Sequence, residues 1–264
     1  MIINRTVQPA SVVGIAGSSL TQGLVLAGYG YSDRHDVADK NMWTSTSATK
    51  ATTRSARAWS FNGTTSYISR TDAPLNTASK SYSFACLATP RGTITAGARI
   101  FAFGSSLTTT PFVAIESTGI LTVRDDGAVI TSTAALANPP ALDRESLLIA
   151  VFKPAVMTLY EWTSSVTVAI ANTACTTNRS AIGALLRTTA SNFFSGDVSW
   201  WAAWNREITP YEIANLRENP WQIFAPMQRR FYFEPAAAGG TLVGPLIRGG
   251  RLQHGSLIRG GVLT

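Results

Sequence analysis

The sequence predicts an all-β fold: two antiparallel sheets packed face to face, with one short helix near the C-terminal end and an extended C-terminal arm. Three observations lead there. Only 14% of the 264 residues are charged, while Ser, Thr, Ala and Gly abound, a composition suited to many short strands and turns. Stretches that alternate apolar and polar residues recur along the chain, each bounded by turn residues. No segment before Pro210 carries a helical period, which excludes a doubly wound α/β fold, since that would need helices between its strands. A β-sandwich of about 200–250 residues commonly remains one domain. The expected division is an arm or edge strand over 1–19, a sandwich with its closing helix over 20–226, and the arm over 227–264.

Taken in order, Leu24, Val25 and Leu26 begin the domain, and 29–40 reads as a loop. Residues 43–58, rich in Ser, Thr and Ala, read as a loop or irregular strand leading to Trp59. Asn62-Gly63 is a turn dipeptide, after which Tyr67-Ile68 resumes a strand. From Ser81 the alternation puts Tyr82, Phe84, Cys86 and Ala88 on one face. Further strands are expected over 99–103, 112–116 and 120–124. Asp126-Gly127 is the best hairpin turn in the sequence, with a return strand over 128–131. The apolar run 147–152 predicts a strand covered on both faces. Strands over 157–162, 166–170 and 181–186 follow, giving about eleven or twelve in all.

The closing segment, 193–226, organises the rest. Its first half alternates, with Val198, Trp200, Ala202 and Trp204 expected on one side of a core strand and Ser199, Trp201 and Ala203 on the other. A helix start follows, in which Thr209 caps, Pro210 takes the first position and Glu212 completes a capping box. The helix is expected over 210–218, lying on the sheet through Ile213 and Leu216, and Asn219-Pro220 stops it.

These motifs carry a resemblance. Gly196-Asp197-Val198-x-x-Trp201, followed by Trp204-Asn-Arg-Glu-Ile-Thr-Pro-x-Glu-Ile-x-x-Leu216, resembles the end of laminin-G-like jelly rolls of the concanavalin A-like lectin/glucanase superfamily. The run from Trp59 to Ile68 is similar to an early strand of that family, so the resemblance spans about 20–217. Asn219-Pro220-Trp221-Gln222-Ile223-Phe224-Ala225-Pro226 is similar to the end of this domain in tailed-bacteriophage virion proteins. It implies a non-enzymatic structural protein displayed on a phage particle, as a head decoration or cement protein or a tail accessory or fibre protein. The superfamily equally admits a carbohydrate-binding module for host-surface attachment, and less readily a glycan hydrolase.

The arm fits the assembly expectation. Gly244-Pro-Leu-Ile-Arg-Gly-Gly-Arg-Leu252 is repeated as Gly255-Ser-Leu-Ile-Arg-Gly-Gly-Val-Leu263, a period of eleven residues. Units this small cannot bury Leu246, Ile247, Leu257 and Ile258 alone. Partners are therefore expected, either major capsid or tail proteins or copies of this chain, with Arg248 and Arg259 bonding to their carboxylates or carbonyls. Trp221, Phe224, Arg229 and Arg230 are expected to share in this anchoring. The net charge of +7 is concentrated here, since 227–264 carries five arginines against one glutamate. With no Lys/Arg run longer than two and no basic helix, nucleic acid is not an expected partner. Neither is a membrane, as no apolar run approaches about 20 residues. The start of the chain lacks a signal-peptide core, so synthesis in a host cytoplasm and residence on a virion surface are expected.

Candidate chemistry is sparse. No short strand carries the two carboxyl groups that a retaining glycosidase sets about 5 Å apart. Two histidines, His35 and His254, give a hydrolase triad or zinc site little to use. No catalytic residue is nominated. Asp33, His35, Asp36 and Asp39 form the densest group of ligand-type side chains, with the three aspartates as candidate calcium ligands, but no calcium-loop spacing is present, and a solvated loop is the preferred reading. For a sugar, Trp43, Trp162 and Trp201 are candidates to face outward and stack on its ring, whereas Trp59, Trp200 and Trp204 read as core. Cys86 and Cys175 fall in expected strands; buried free thiols are the preferred reading, and a disulfide between them is the alternative, which neither a paired spacing nor a secretory signal supports.

Overall fold

A computed structural model describes residues 19–224, apart from 31–35, 39–40, 53–56, 73–74, 76, 78–80, 107–110, 125, 127–129 and 171–174. The first strands are β1 (Leu24–Tyr29), β2 (Thr44–Thr46), β3 (Thr49–Thr52), β4 (Arg57–Asn62), β5 (Tyr67–Arg70) and β6 (Tyr82–Pro90). Next come β7 (Arg99–Gly104), β8 (Phe112–Glu116), β9 (Ile120–Arg124), β10 (Ile130–Ala135), β11 (Ser146–Lys153) and β12 (Val156–Tyr160). The last are β13 (Ser165–Ala169), β14 (Arg179–Ile182), β15 (Leu185–Leu186), β16 (Ala190–Ser191) and β17 (Ser195–Trp204), before helix α1 (Pro210–Glu218).

An eight-stranded sheet runs β13-β12-β11-β6-β17-β4-β3, with β1 also paired to β17. A seven-stranded sheet runs β10-β9-β8-β7-β14-β5-β2, and every ladder is antiparallel. The predicted two-sheet sandwich with one late helix is therefore what forms. Two stretches differ from expectation. The region expected as a loop or irregular strand forms β2 and β3, one in each sheet. The strand expected over 181–186 breaks at Gly183, which has φ +84 and whose added Cβ would lie 2.3 Å from the Phe61 ring.

Three layers result. One apolar cluster fills the space between the sheets, taking Phe84, Cys86 and Ala88 of β6, Leu148, Ala150 and Phe152 of β11, and Phe101, Phe103, Val113 and Ile115 of the opposite sheet. A second cluster covers the other face of the eight-stranded sheet, taking Ala85, Leu87, Leu147, Ile149 and Val151. Ile213 and Leu216 of α1, together with Trp221, Ile223 and Phe224, close that side. The alternation in β6 and the apolar run in β11 thus carry the same meaning, because both strands are covered on two faces.

Strand β17 differs from the reading of its sequence at one residue. Its pairing with β6 shifts between Val198 and Trp200, a β-bulge at Ser199. The extra residue reverses the alternation, so Val198 joins Trp201 and Ala203 between the sheets, while Trp200, Ala202 and Trp204 face α1. The bulge also marks a change of neighbour: Ser195–Val198 pairs with β4, and Trp200–Trp204 with β1. Gly28 of β1 permits the contact, since an added Cβ would lie 2.3 Å from the Trp201 ring.

Helix α1 begins as expected. The Thr209 hydroxyl accepts from the Glu212 N–H at 3.2 Å, and the Glu212 carboxylate accepts from the Thr209 N–H at 2.8 Å. Arg206 adds a bidentate contact to Glu212, both bonds 2.8 Å, and donates to the Gln22 and Ser19 carbonyls. Burial by itself raises the Glu212 pKa, but the Arg206 and Thr209 hydrogen bonds outweigh it and lower the value from 4.5 to about 2. A depressed carboxyl pKa stabilises the fold above pH 4.5, and that contribution is lost as pH falls from 4.5 towards about 2. Acid titration of the unfolding midpoint is expected to show this loss, and Glu212→Gln to flatten it.

Candidate ligand-binding site

The tryptophans sort differently from expectation. Trp43 and Trp201, expected to face outward, are each 1% exposed and meet edge to face at 5.3 Å. Trp201 is buried because both faces of β17 are covered, and Trp43 because it packs on Trp201 while its indole N–H donates to buried Asp36 at 3.1 Å. Trp59, Trp200 and Trp204 are core, as expected. Trp221 and Phe224, expected to grip other chains, are buried within this one, where Phe224 packs 5.0 Å from Tyr29 and 6.0 Å from Trp200. They fasten the segment after α1 to its own sheet.

Asp36 is buried and fully engaged. It accepts from the Ala27 and Ala38 N–H groups and forms a 2.9 Å ion pair with buried Arg70. Asp33, Asp39, Arg229, Arg230, Leu246, Ile247, Arg248, Leu257, Ile258 and Arg259 lie outside the described residues. Among the described residues, no group of three or more His, Cys, Asp or Glu side chains is placed to hold a metal. Cys86 and Cys175 are buried free thiols. The outer face of the seven-stranded sheet is covered where Leu185 of β15 packs on Ala102, Phe112 and Ala114. Glu116 on that sheet pairs with buried Arg99 and accepts from the Thr122 hydroxyl.

Trp162 stands apart, half-buried beside a cavity of about 440 Å³. The cavity forms where the turn between β12 and β13 meets the connection before β11 and the C-terminal end of α1. Strand β12 ends at Tyr160, two residues earlier than its sequence suggests, because Tyr160 and Ser165 close the ladder and the Glu161 N–H bonds to the Ser164 carbonyl at 2.9 Å. Glu161 and Trp162 are thereby released into the turn. The Trp162 indole N–H donates to the Glu145 carbonyl at 3.0 Å, which fixes the ring.

Arg217, in the last turn of α1, holds the opposite side. It donates to the Glu161 carbonyl at 2.5 Å and the Ser164 carbonyl at 2.8 Å, and its guanidinium lies 5.4 Å from the centre of the Tyr160 ring. Glu161 accepts from Ser146 and Ser164 hydroxyls at 3.1 and 3.4 Å, and Glu145 from the Ser199 hydroxyl at 3.3 Å. Asn138, Arg144 and Glu218 complete the polar lining, with Pro220 and Trp221 adding apolar surface. The volume lies within the range of about 300–1,000 Å³ usual for ligand pockets. An aromatic ring, an amide and several carboxylates around such a space suit a small molecule with both apolar faces and hydroxyl groups.

Glu145, Glu161 and Arg217 carry no motif, which is why sequence reasoning passed them over. One signal was available: extending the Ile149–Tyr160 pairing past the strand ends sets Glu145 against the turn that bears Trp162. The burial of Trp201 predicts that Trp201→Ala lowers folding stability by about 3–5 kcal/mol, as for large aromatic truncations in cores, in denaturant titration.

No known protein-family profile matches the chain, and no curated protein matches it in sequence. Solved structures do match in shape. Domain 4 of an extracellular arabinanase from Geobacillus stearothermophilus, in complex with arabinotriose, is 16% identical with a TM-score of 0.57, covering 74% of this chain and 98% of that domain. Trypanosoma rangeli sialidase, in complex with sialic acid, is 14% identical with a TM-score of 0.55, covering 74% of this chain and 32% of the sialidase. The botulinum neurotoxin DC binding domain, in complex with SialylT, is 9% identical with a TM-score of 0.54, covering 74% of this chain and 50% of the toxin domain. This chain therefore spans about a third of the sialidase and half of the toxin domain. At these identities the likeness is one of architecture, and the chain has the concanavalin A-like lectin/glucanase type of β-sandwich.

Proposed function

We propose that this protein is a carbohydrate-binding module that takes its glycan in the cavity beside Trp162. The observation that carries this reading is the cavity itself, with a half-buried tryptophan fixed by its indole N–H and flanked by hydrogen-bonding side chains. A sugar offers an apolar ring face for stacking and hydroxyls for the carboxylates and the amide. Two neighbours in fold carry a sugar, arabinotriose and sialic acid, which supports the same class of ligand here. Serine hydroxyls donate to both Glu145 and Glu161, which holds the two carboxylates in place to accept from the hydroxyls of a sugar. On a glycan array, Trp162→Ala is expected to weaken binding at least about tenfold, the loss of one stacked aromatic contact, while the chain stays folded. Retained binding would remove this site.

The assembly role is a second proposal, supported by the eleven-residue repeat at 244–252 and 255–263. In it the module is displayed on a phage particle and joined to virion proteins through its arm, with Trp221 and Phe224 taking no part. Deleting 241–264 is expected to leave a folded sandwich that no longer enters particles, and incorporation unchanged by the deletion would overturn it.

A further inference from the structure

The charges around the cavity bear on which glycans it accepts, an inference that rests on reading the cavity as a glycan site. Among the described residues, three carboxylates, Glu145, Glu161 and Glu218, line it against two guanidiniums, Arg144 and Arg217. The two cations are not equivalent. Arg217 is half-buried, directs Nη2 to the Glu161 and Ser164 carbonyls and lies against Tyr160, so only that arm of its fork is held by the turn. Arg144 is exposed, where solvent and salt screen it. Glu145 and Glu161, by contrast, are half-buried and held by serine hydroxyls.

A fixed, partly desolvated carboxylate accepts strongly from a hydroxyl and repels a second anion. We infer that the cavity selects uncharged, hydroxyl-rich saccharides and discriminates against glycans bearing carboxylate or sulfate groups, sialylated ones included. A sialic acid entering here would bring its carboxylate towards three others, against the exposed Arg144 and the partly engaged Arg217 among the described residues. The inferred preference thus departs from the sialic acid seen in the sialidase that shares the fold.

The test is a glycan array carrying neutral pentose, hexose and N-acetylhexosamine oligosaccharides beside sialylated, sulfated and uronic-acid counterparts, probed with the full chain. Neutral glycans are expected to bind, and their charged counterparts at least about tenfold more weakly, as like-charge juxtaposition requires. Glu161→Gln should narrow that gap, and so should Glu218→Gln, which alters only an exposed side chain. Raising the ionic strength should narrow it further. Equal or tighter binding of the charged glycans, or a gap unchanged in both variants, overturns the selectivity and leaves the glycan reading standing. Binding to no glycan at all, or binding that Trp162→Ala leaves unchanged, removes both.

Discussion

The structure depends on the burial of β17 on both faces at once. Trp200 and Trp204 point towards α1, Trp201 points between the sheets, and all three are at most 1% exposed. Each indole buries a large apolar surface, so this strand contributes to two cores and joins the three layers. The bulge at Ser199 makes the arrangement work. Without the additional residue, Val198 would face α1 rather than the opposite sheet, and the change of partner from β4 to β1 would have no place to occur. The Gly30 N–H bonds to the Ser199 carbonyl at 2.9 Å, so β1 satisfies part of the backbone that the bulge disturbs.

Buried charge fixes the two ends of this frame. Asp36 and Arg70 are almost wholly removed from water, a costly state unless each finds several partners. They do: Asp36 receives two backbone N–H groups and the Trp43 indole, and Arg70 also contacts Asp72. At the other end Arg206 joins the turn before β1 to the cap of α1, while the Trp204 indole donates to the Leu20 carbonyl at 2.6 Å. Replacing either arginine would leave a carboxylate in a place built for an ion pair. The helix and the first strand consequently hold their positions through directional bonds as well as apolar contact.

Most of the architecture could be read from local pattern. The capping box of α1, the alternation of β6 and the two-sided burial of β11 each follow from residue spacing that one strand or helix imposes by itself. What escaped was set by tertiary context. Nothing near Ser199 announces a bulge, so Val198 was set on the wrong face, and Trp201 was expected outward because nothing local shows that both faces of β17 are covered. Trp43 misled for a related reason, since its burial depends on a partner in β17 far along the chain. Trp162, nominated as a stacking residue, is half-buried beside the cavity and packs against the second apolar cluster. The cavity around it draws on the connection before β11, the β12–β13 turn and the C-terminal end of α1, a convergence that no single stretch of sequence encodes.

The grip of Arg217 on the β12–β13 turn has a further consequence. It grasps main-chain carbonyls, at Glu161 and Ser164, and a carbonyl is present whatever side chain stands at those positions. That part of the turn's support is thus indifferent to side-chain identity, while Glu161 and Ser164 also bond through their side chains. The side chains at 162 and 163 can diverge while the backbone that carries them stays anchored to the helix, so one scaffold can be retuned from one ligand to another without a new fold having to be found.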